Sequence, residues 1–114
     1  MHNNSPSHLA EIASAIQFSI QTGAWVVLLF PSREALTEAN KVLPSMLPPM
    51  SCVMGRTSWL PEQGRISLAK VQDEIFVPKG QPFTLTFLNW LGATTEQYEA
   101  TNVWRQRAER VRHP

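Results

Sequence analysis

The chain has 114 residues, 43 % hydrophobic and 17 % charged types, with Lys+Arg at 10, Asp+Glu at 9 and a formal net charge of +1. That length holds one domain with a single modest core, and the composition excludes a disordered chain, which needs few apolar groups and a high net charge. The balance of charge excludes a strong global field of either sign, though not a local patch.

The single cysteine, Cys52, excludes an internal disulfide, the usual support of a small secreted domain. Its apolar neighbours Met50, Val53 and Met54 predict a buried, inert thiol. The N-terminus has no basic segment followed by an apolar run, so it is not a signal peptide. The longest apolar run, over 24–30, is far short of the about 20 residues that cross a bilayer as a helix. With no tag or linker at either end, the chain reads as a whole small cytoplasmic protein without membrane contact.

The first periodic segment places Leu9, Ile12, Ala13, Ile16 and Ile20 on one face of a helix over 6–22. Ser5 suits its cap, Pro6 its first position and Gly23 its end. Residues 24–30, Ala-Trp-Val-Val-Leu-Leu-Phe, are apolar at every position and bounded by Gly23 and Pro31. Such a run predicts a central strand covered on both faces. Ser32 then caps a helix over 33–43, with Ala35, Leu36, Ala39, Val42 and Leu43 inward, and Pro44 is expected to stop it.

Residues 44–64 form a Pro-rich irregular stretch, with a short strand over 51–54 and a loop carrying Arg56 and Trp59. Alternation at Ile66 and Leu68, the run Ile75-Phe76-Val77, and alternation at Phe83, Leu85 and Phe87 predict three more strands. The turn chemistry of 78–82 suggests that the last two pair as an antiparallel hairpin. Thr94 and Gln97 have capping-box spacing before a helix over 95–111, whose apolar face is Ala100, Val103, Trp104, Ala108 and Val111. The expected fold is α/β, with α+β as the alternative: a mixed or antiparallel sheet of three to five strands around 24–30, packed by three helices.

No reaction-bearing pattern stands out. His2, His8 and His113 lie at the termini without metal-ligand spacing, and neither a nucleophile elbow nor a glycine-rich phosphate loop is present. Asp73 and Glu74 are adjacent, so on a strand they point to opposite faces. Neither a cofactor nor a metal is expected. A domain of this size also has little room for a deep pocket with a lid.

The stretch from Val26 to Leu36, with Pro31-Ser32-Arg33-Glu34 at its turn, resembles the strand–Pro-Ser/Thr-Arg-Glu–helix segment of superfamily 2 helicases. A similar passage occurs in phage terminase motors. The resemblance implies that Ser32 and Arg33 contact a nucleic-acid backbone. The ATP-binding loop and acidic box of those motors are missing, so it implies no ATPase activity.

Two features point to a surface. Arg105, Arg107, Arg110 and Arg112 fall near the end of the last helix, opposed only by Glu109. Four tryptophans are present, and two of them, Trp59 and Trp90, adjoin loops, with Arg56 close to Trp59 in sequence. Aromatics and arginines dominate the energetics of protein interfaces. The leading reading is a non-enzymatic regulator, inhibitor or adaptor that docks on a protein partner through Arg56, Trp59, Trp90 and the four C-terminal arginines. A nucleic-acid binder using the arginine cluster is the second reading. A small enzyme of undetermined reaction class is the third, and a homo-oligomer is compatible with each.

Overall fold

The computed structural model describes the backbone of residues 5–112 and the side chains of residues 9–108. Among these residues, three α-helices pack on a mixed five-stranded sheet, an α/β fold. The order along the chain is α1 (Ser5–Thr22), β1 (Trp25–Phe30), α2 (Arg33–Met46), β2 (Cys52–Met54), β3 (Thr57–Trp59), β4 (Arg65–Lys70), β5 (Thr84–Phe87) and α3 (Thr95–Arg112). Across the sheet the order is β2-β3-β4-β1-β5. β1 runs parallel to both β4 and β5, and β3 runs antiparallel to β2 and β4. Among the described residues, no helix is long and apolar enough to cross a membrane.

Every residue of β1 is buried, because each face of the strand meets a separate core. Val26, Leu28 and Phe30 face α1 and α2, together with Ile66, Leu68 and Leu88. Trp25, Val27 and Leu29 face the opposite way, toward Trp104 of α3, Val71, Val77 and Phe83. This alternation at period two is what an all-apolar central strand needs.

The helix ends follow local chemistry. Ser32 takes an extended conformation and its Oγ accepts the Ala35 N–H at 3.2 Å. The capping box before α3 closes in both directions: Thr94 N–H donates to Gln97 Oε1 (2.8 Å) and Gln97 N–H to Thr94 Oγ1 (3.1 Å). Gly23, at φ +74°, lets the chain leave α1 in the left-handed region.

Several expectations are corrected. α2 continues through Pro44 to Met46. Proline at that point loses only its own donor, and the last turn closes when Leu47 N–H donates to Pro44 O. On α1, Ala13 is exposed, while Ala15 and Ser19 are buried. The face is rotated because the Ser19 hydroxyl ties the helix to the sheet. It accepts Arg65 N–H (2.8 Å) and donates to Ala24 O (2.6 Å), with Arg65 O a second acceptor at 3.0 Å. On α3, Val103 is exposed and Thr101 takes a buried place beside Trp104.

Residues 57–59, read as loop, form β3, which turns back from β2 at Gly55 (φ +62°). Cys52 is exposed, since β2 is the sheet edge and all three of its residues face solvent. The expected strand over 75–77 and the hairpin at 78–82 do not form. β4 and β5 both run parallel to β1, and a parallel relation requires a crossover, not a tight turn. Segment 71–83 makes that crossing on the α3 side, with Val77 and Phe83 buried under Trp104.

Candidate interaction surface

The helices do not cover the sheet evenly. α1 and α2 pack over β1 and β4 on one face, and α3 packs by β5 on the other. The β2–β3 hairpin extends the sheet at the far side, and there the cross-strand register assembles a row that the linear sequence conceals. Trp25 pairs with Arg65, Arg65 with Trp59, and Trp59 with Cys52. Directly paired residues share a sheet face, and at about 4.8 Å per strand the row spans roughly 14 Å. The Arg65 guanidinium carbon lies 4.1 Å from the Trp25 ring centroid and 4.8 Å from that of Trp59. The arginine is therefore stacked between two indoles, an arrangement favoured by the negative ring faces. Met54 continues the exposed apolar surface next to Cys52, and Phe76 packs against Trp25 with ring centroids 6.5 Å apart.

The four tryptophans differ in how they use the indole N–H. Trp25 donates to Ser67 Oγ (2.8 Å), Trp90 to Leu29 O (2.8 Å) and Trp104 to Val71 O (3.0 Å). These three are buried, and a buried indole N–H requires a partner. Trp59 is 44 % exposed, and among the described residues its N–H has no protein acceptor. It is the tryptophan with both apolar area and a donor turned outward.

Trp90, expected as a second exposed anchor, is 9 % exposed and closes the end of the sheet. The loop that carries it folds back so that its N–H meets Leu29 O, while Tyr98 Oη donates to Trp90 O (2.9 Å). This plug matters because open α/β sheets bind ligands outside the carboxyl ends of their parallel strands, where the chain switches direction. β1 is that switch, with its neighbours β4 and β5 reached across opposite faces. Its carboxyl end is occupied by Trp90 and by Gln97, whose Nε2 donates to Pro31 O (2.8 Å). Nearby, Leu9, Ile12, Phe30, Val42 and Leu88 line a cavity of about 120 Å³ in which, among the described residues, Glu38 is the only charged side chain. Ligand pockets usually measure roughly 300–1,000 Å³; hollows of about 430 Å³ beside Phe18 and Thr86 and about 730 Å³ beside Asp73 and Val103 reach that size but are shallower and more open.

The expected arginines are scattered. Arg56, at the β2–β3 turn, does not join Trp59; its Nη1 donates to Asp73 Oδ2 at 2.6 Å. Lys70 Nζ approaches the same carboxylate at 3.6 Å. Partial burial of Asp73 opposes its ionisation. The Lys70 backbone N–H, the Arg56 hydrogen bond and the charges of Arg56 and Lys70 outweigh that and hold the carboxyl below its ordinary value. Arg105 lies over the Phe87 ring at 4.9 Å, and Arg107 donates to Val77 O, fastening the crossover segment to α3. The side chains of Arg110 and Arg112, like His2, His8 and His113, lie outside the described residues. Ser32 is engaged as the α2 cap, with Arg33 exposed beside it.

Sequence reasoning missed Arg65. The only local signal was a charged residue opening a weak alternating strand; its place between two tryptophans follows from register across three strands. No protein-family model matches the chain, and neither a curated protein nor a solved structure matches it.

Proposed function

We propose that this protein is a non-enzymatic interaction module, a regulator, inhibitor or adaptor, which docks on a protein partner through the sheet face centred on Trp59 and Arg65. The observation that carries this reading is the exposed Trp59 indole, stacked on Arg65 and continuous with Cys52 and Met54. Large aromatic area beside an ordered arginine is the composition of interface hot spots. An exposed free thiol at Cys52 suits the reducing cytoplasm as the place of action. The nucleic-acid reading draws less support, because Arg56, Arg105 and Arg107 each have a partner within the fold.

The test is site-specific photocrosslinking in the protein's native cells. A photoreactive benzoylphenylalanine is placed at Met54, and for comparison at Glu34, which is exposed at the start of α2. A discrete protein adduct is expected from position 54 and not from position 34. Trp59→Ala should weaken that adduct about tenfold, the loss typical of an interface anchor, while lowering folding stability by about 1 kcal/mol or less. Equal adducts from both positions, or an adduct from position 54 indifferent to Trp59→Ala, would defeat the reading.

A further inference from the structure

We infer that Arg65 is a preformed fork for a carboxylate, and that the partner therefore presents an acidic side chain flanked by apolar ones. This rests on the docking reading above and adds the partner's chemistry. The guanidinium carbon of Arg65 lies over both the Trp25 and the Trp59 ring. A ring face attracts the cation without supplying a conventional acceptor, so this contact leaves the planar fork of N–H donors without hydrogen-bond partners. Among the described residues, the Arg65 side chain makes neither an ion pair nor a hydrogen bond, whereas Arg56, Lys70, Lys41 and Arg107 all do. What sets Arg65 apart from the other described cations without such a bond, Arg33, Lys79 and Arg105, is that its guanidinium lies against two aromatic rings.

Order is supplied in advance on both sides. The Trp25 indole is fixed by its bond to Ser67, which in turn bonds Thr57 Oγ1 at 2.7 Å. Trp59 is held in β3, paired with both Cys52 and Arg65. An arginine already immobilised loses less conformational entropy when it binds, and the flanking indoles exclude water from the edge of any pair it forms. A two-bond arginine–carboxylate contact is strengthened by both effects.

Charge distinguishes a carboxylate from a polyanion. Tight binding to a nucleic-acid backbone requires several cations that neutralise successive phosphates. Arg65 is the only charged member of its row, and its neighbours are Trp25, Trp59, Cys52 and Met54. The next cation along β4, Lys70, is five residues on, about 16 Å away along the strand, and it already faces Asp73.

The test uses the full ¹⁵N-labelled chain and follows the Arg65 side-chain Nε–H and the Trp59 indole N–H by NMR. The probes are a capped pentapeptide with glutamate between two leucines, the same peptide with glutamine, and a ten-nucleotide oligothymidylate. The glutamate peptide should shift both resonances saturably and bind about tenfold more tightly than the glutamine peptide, because only a carboxylate engages the fork with charge assistance. Arg65→Lys should keep the positive charge yet reduce that preference to about threefold or less, since an ammonium has no planar fork. Equal binding of the two peptides would overturn the carboxylate inference and leave the apolar docking reading standing. No Arg65 shift with either peptide at about 5 mM, weaker than any usable contact, would also overturn it, with the Met54 adduct then judging the docking reading alone. Stronger binding of the oligonucleotide would overturn both.

Discussion

Ser19→Ala should be among the most damaging single-atom deletions in this fold. The Ser19 side chain is fully buried, and its oxygen accepts Arg65 N–H at 2.8 Å while its proton goes to Ala24 O at 2.6 Å. Alanine removes both bonds at once. Leaving Arg65 N–H without an acceptor costs about 1–3 kcal/mol, and losing the bond to Ala24 O about 1 kcal/mol more. The better helix propensity of alanine returns about 0.5 kcal/mol at most. The net expectation is a loss of about 2–3 kcal/mol, a large fraction of the roughly 5–15 kcal/mol that holds a domain folded. In urea denaturation the midpoint should fall by about 1–2 M with an unchanged slope. Ser14→Ala, on the exposed side of the same helix, supplies the comparison and should be close to neutral. If the two variants unfold at the same urea concentration, the hydroxyl does not join α1 to the strand ends and the account of the rotated helix face fails.

The same junction predicts the behaviour of Gly64. A Cβ there would lie 2.8 Å from Ser19 Oγ, 2.9 Å from Ser19 O and 3.0 Å from Ser19 C, so Gly64→Ala should cost about 1–3 kcal/mol in the same urea assay through overpacking. Ser19→Ala should not rescue it, since two of the three clashes are with backbone; full rescue would refute the geometry. Asp73 sets a pH dependence. Its carboxyl is held below the ordinary value of about 3.9, so its contribution is complete above that value and is lost as pH falls through the folded-state value. The urea midpoint of the natural protein should therefore drop more between pH 7 and pH 3 than that of Asp73→Asn, and equal drops would contradict the assigned pairing with Arg56 and Lys70.

What was legible in the sequence follows the range of the interaction that fixes each feature. The run over 24–30 announces a strand covered on both faces because every residue must be apolar there, and Trp25–Phe30 is that strand. Ser32, Thr94 and Gln97 announce their helix ends because caps act within three residues. Cys52 misleads because Met50, Val53 and Met54 look like core in sequence, yet β2 is the sheet edge and leaves them outside. Trp90 misleads in the opposite direction: a loop residue can fold back over a strand end, and the acceptor that decides it, Leu29 O, is distant in the chain. Arg65 was invisible as a candidate interaction residue for the same reason. Its two stacking partners come from the first and third strands, and register alone brings them together.

The candidate surface lies away from the customary ligand crevice for a physical reason. At the carboxyl end of β1, Trp90 and the start of α3 satisfy the terminal carbonyls Leu29 O and Pro31 O. That closure uses the polar groups with which a crevice would otherwise hold a ligand. At the amino end the sheet is wider than its helical cover, because the β2–β3 hairpin adds two strands without adding a helix over the Trp59 face. A polar residue at position 59 would suit such an uncovered place if stability were the only demand. Tryptophan there leaves a substantial apolar area in water, on the order of 100 Å², worth about 2.5 kcal/mol if it were covered. Three tryptophans of this chain resolve that tension by burial and a bonded N–H, and Trp59 does neither. The proposed partner would resolve it by covering Trp59, and Arg65, stacked beside it and unpaired among the described residues, would set that partner's orientation and charge.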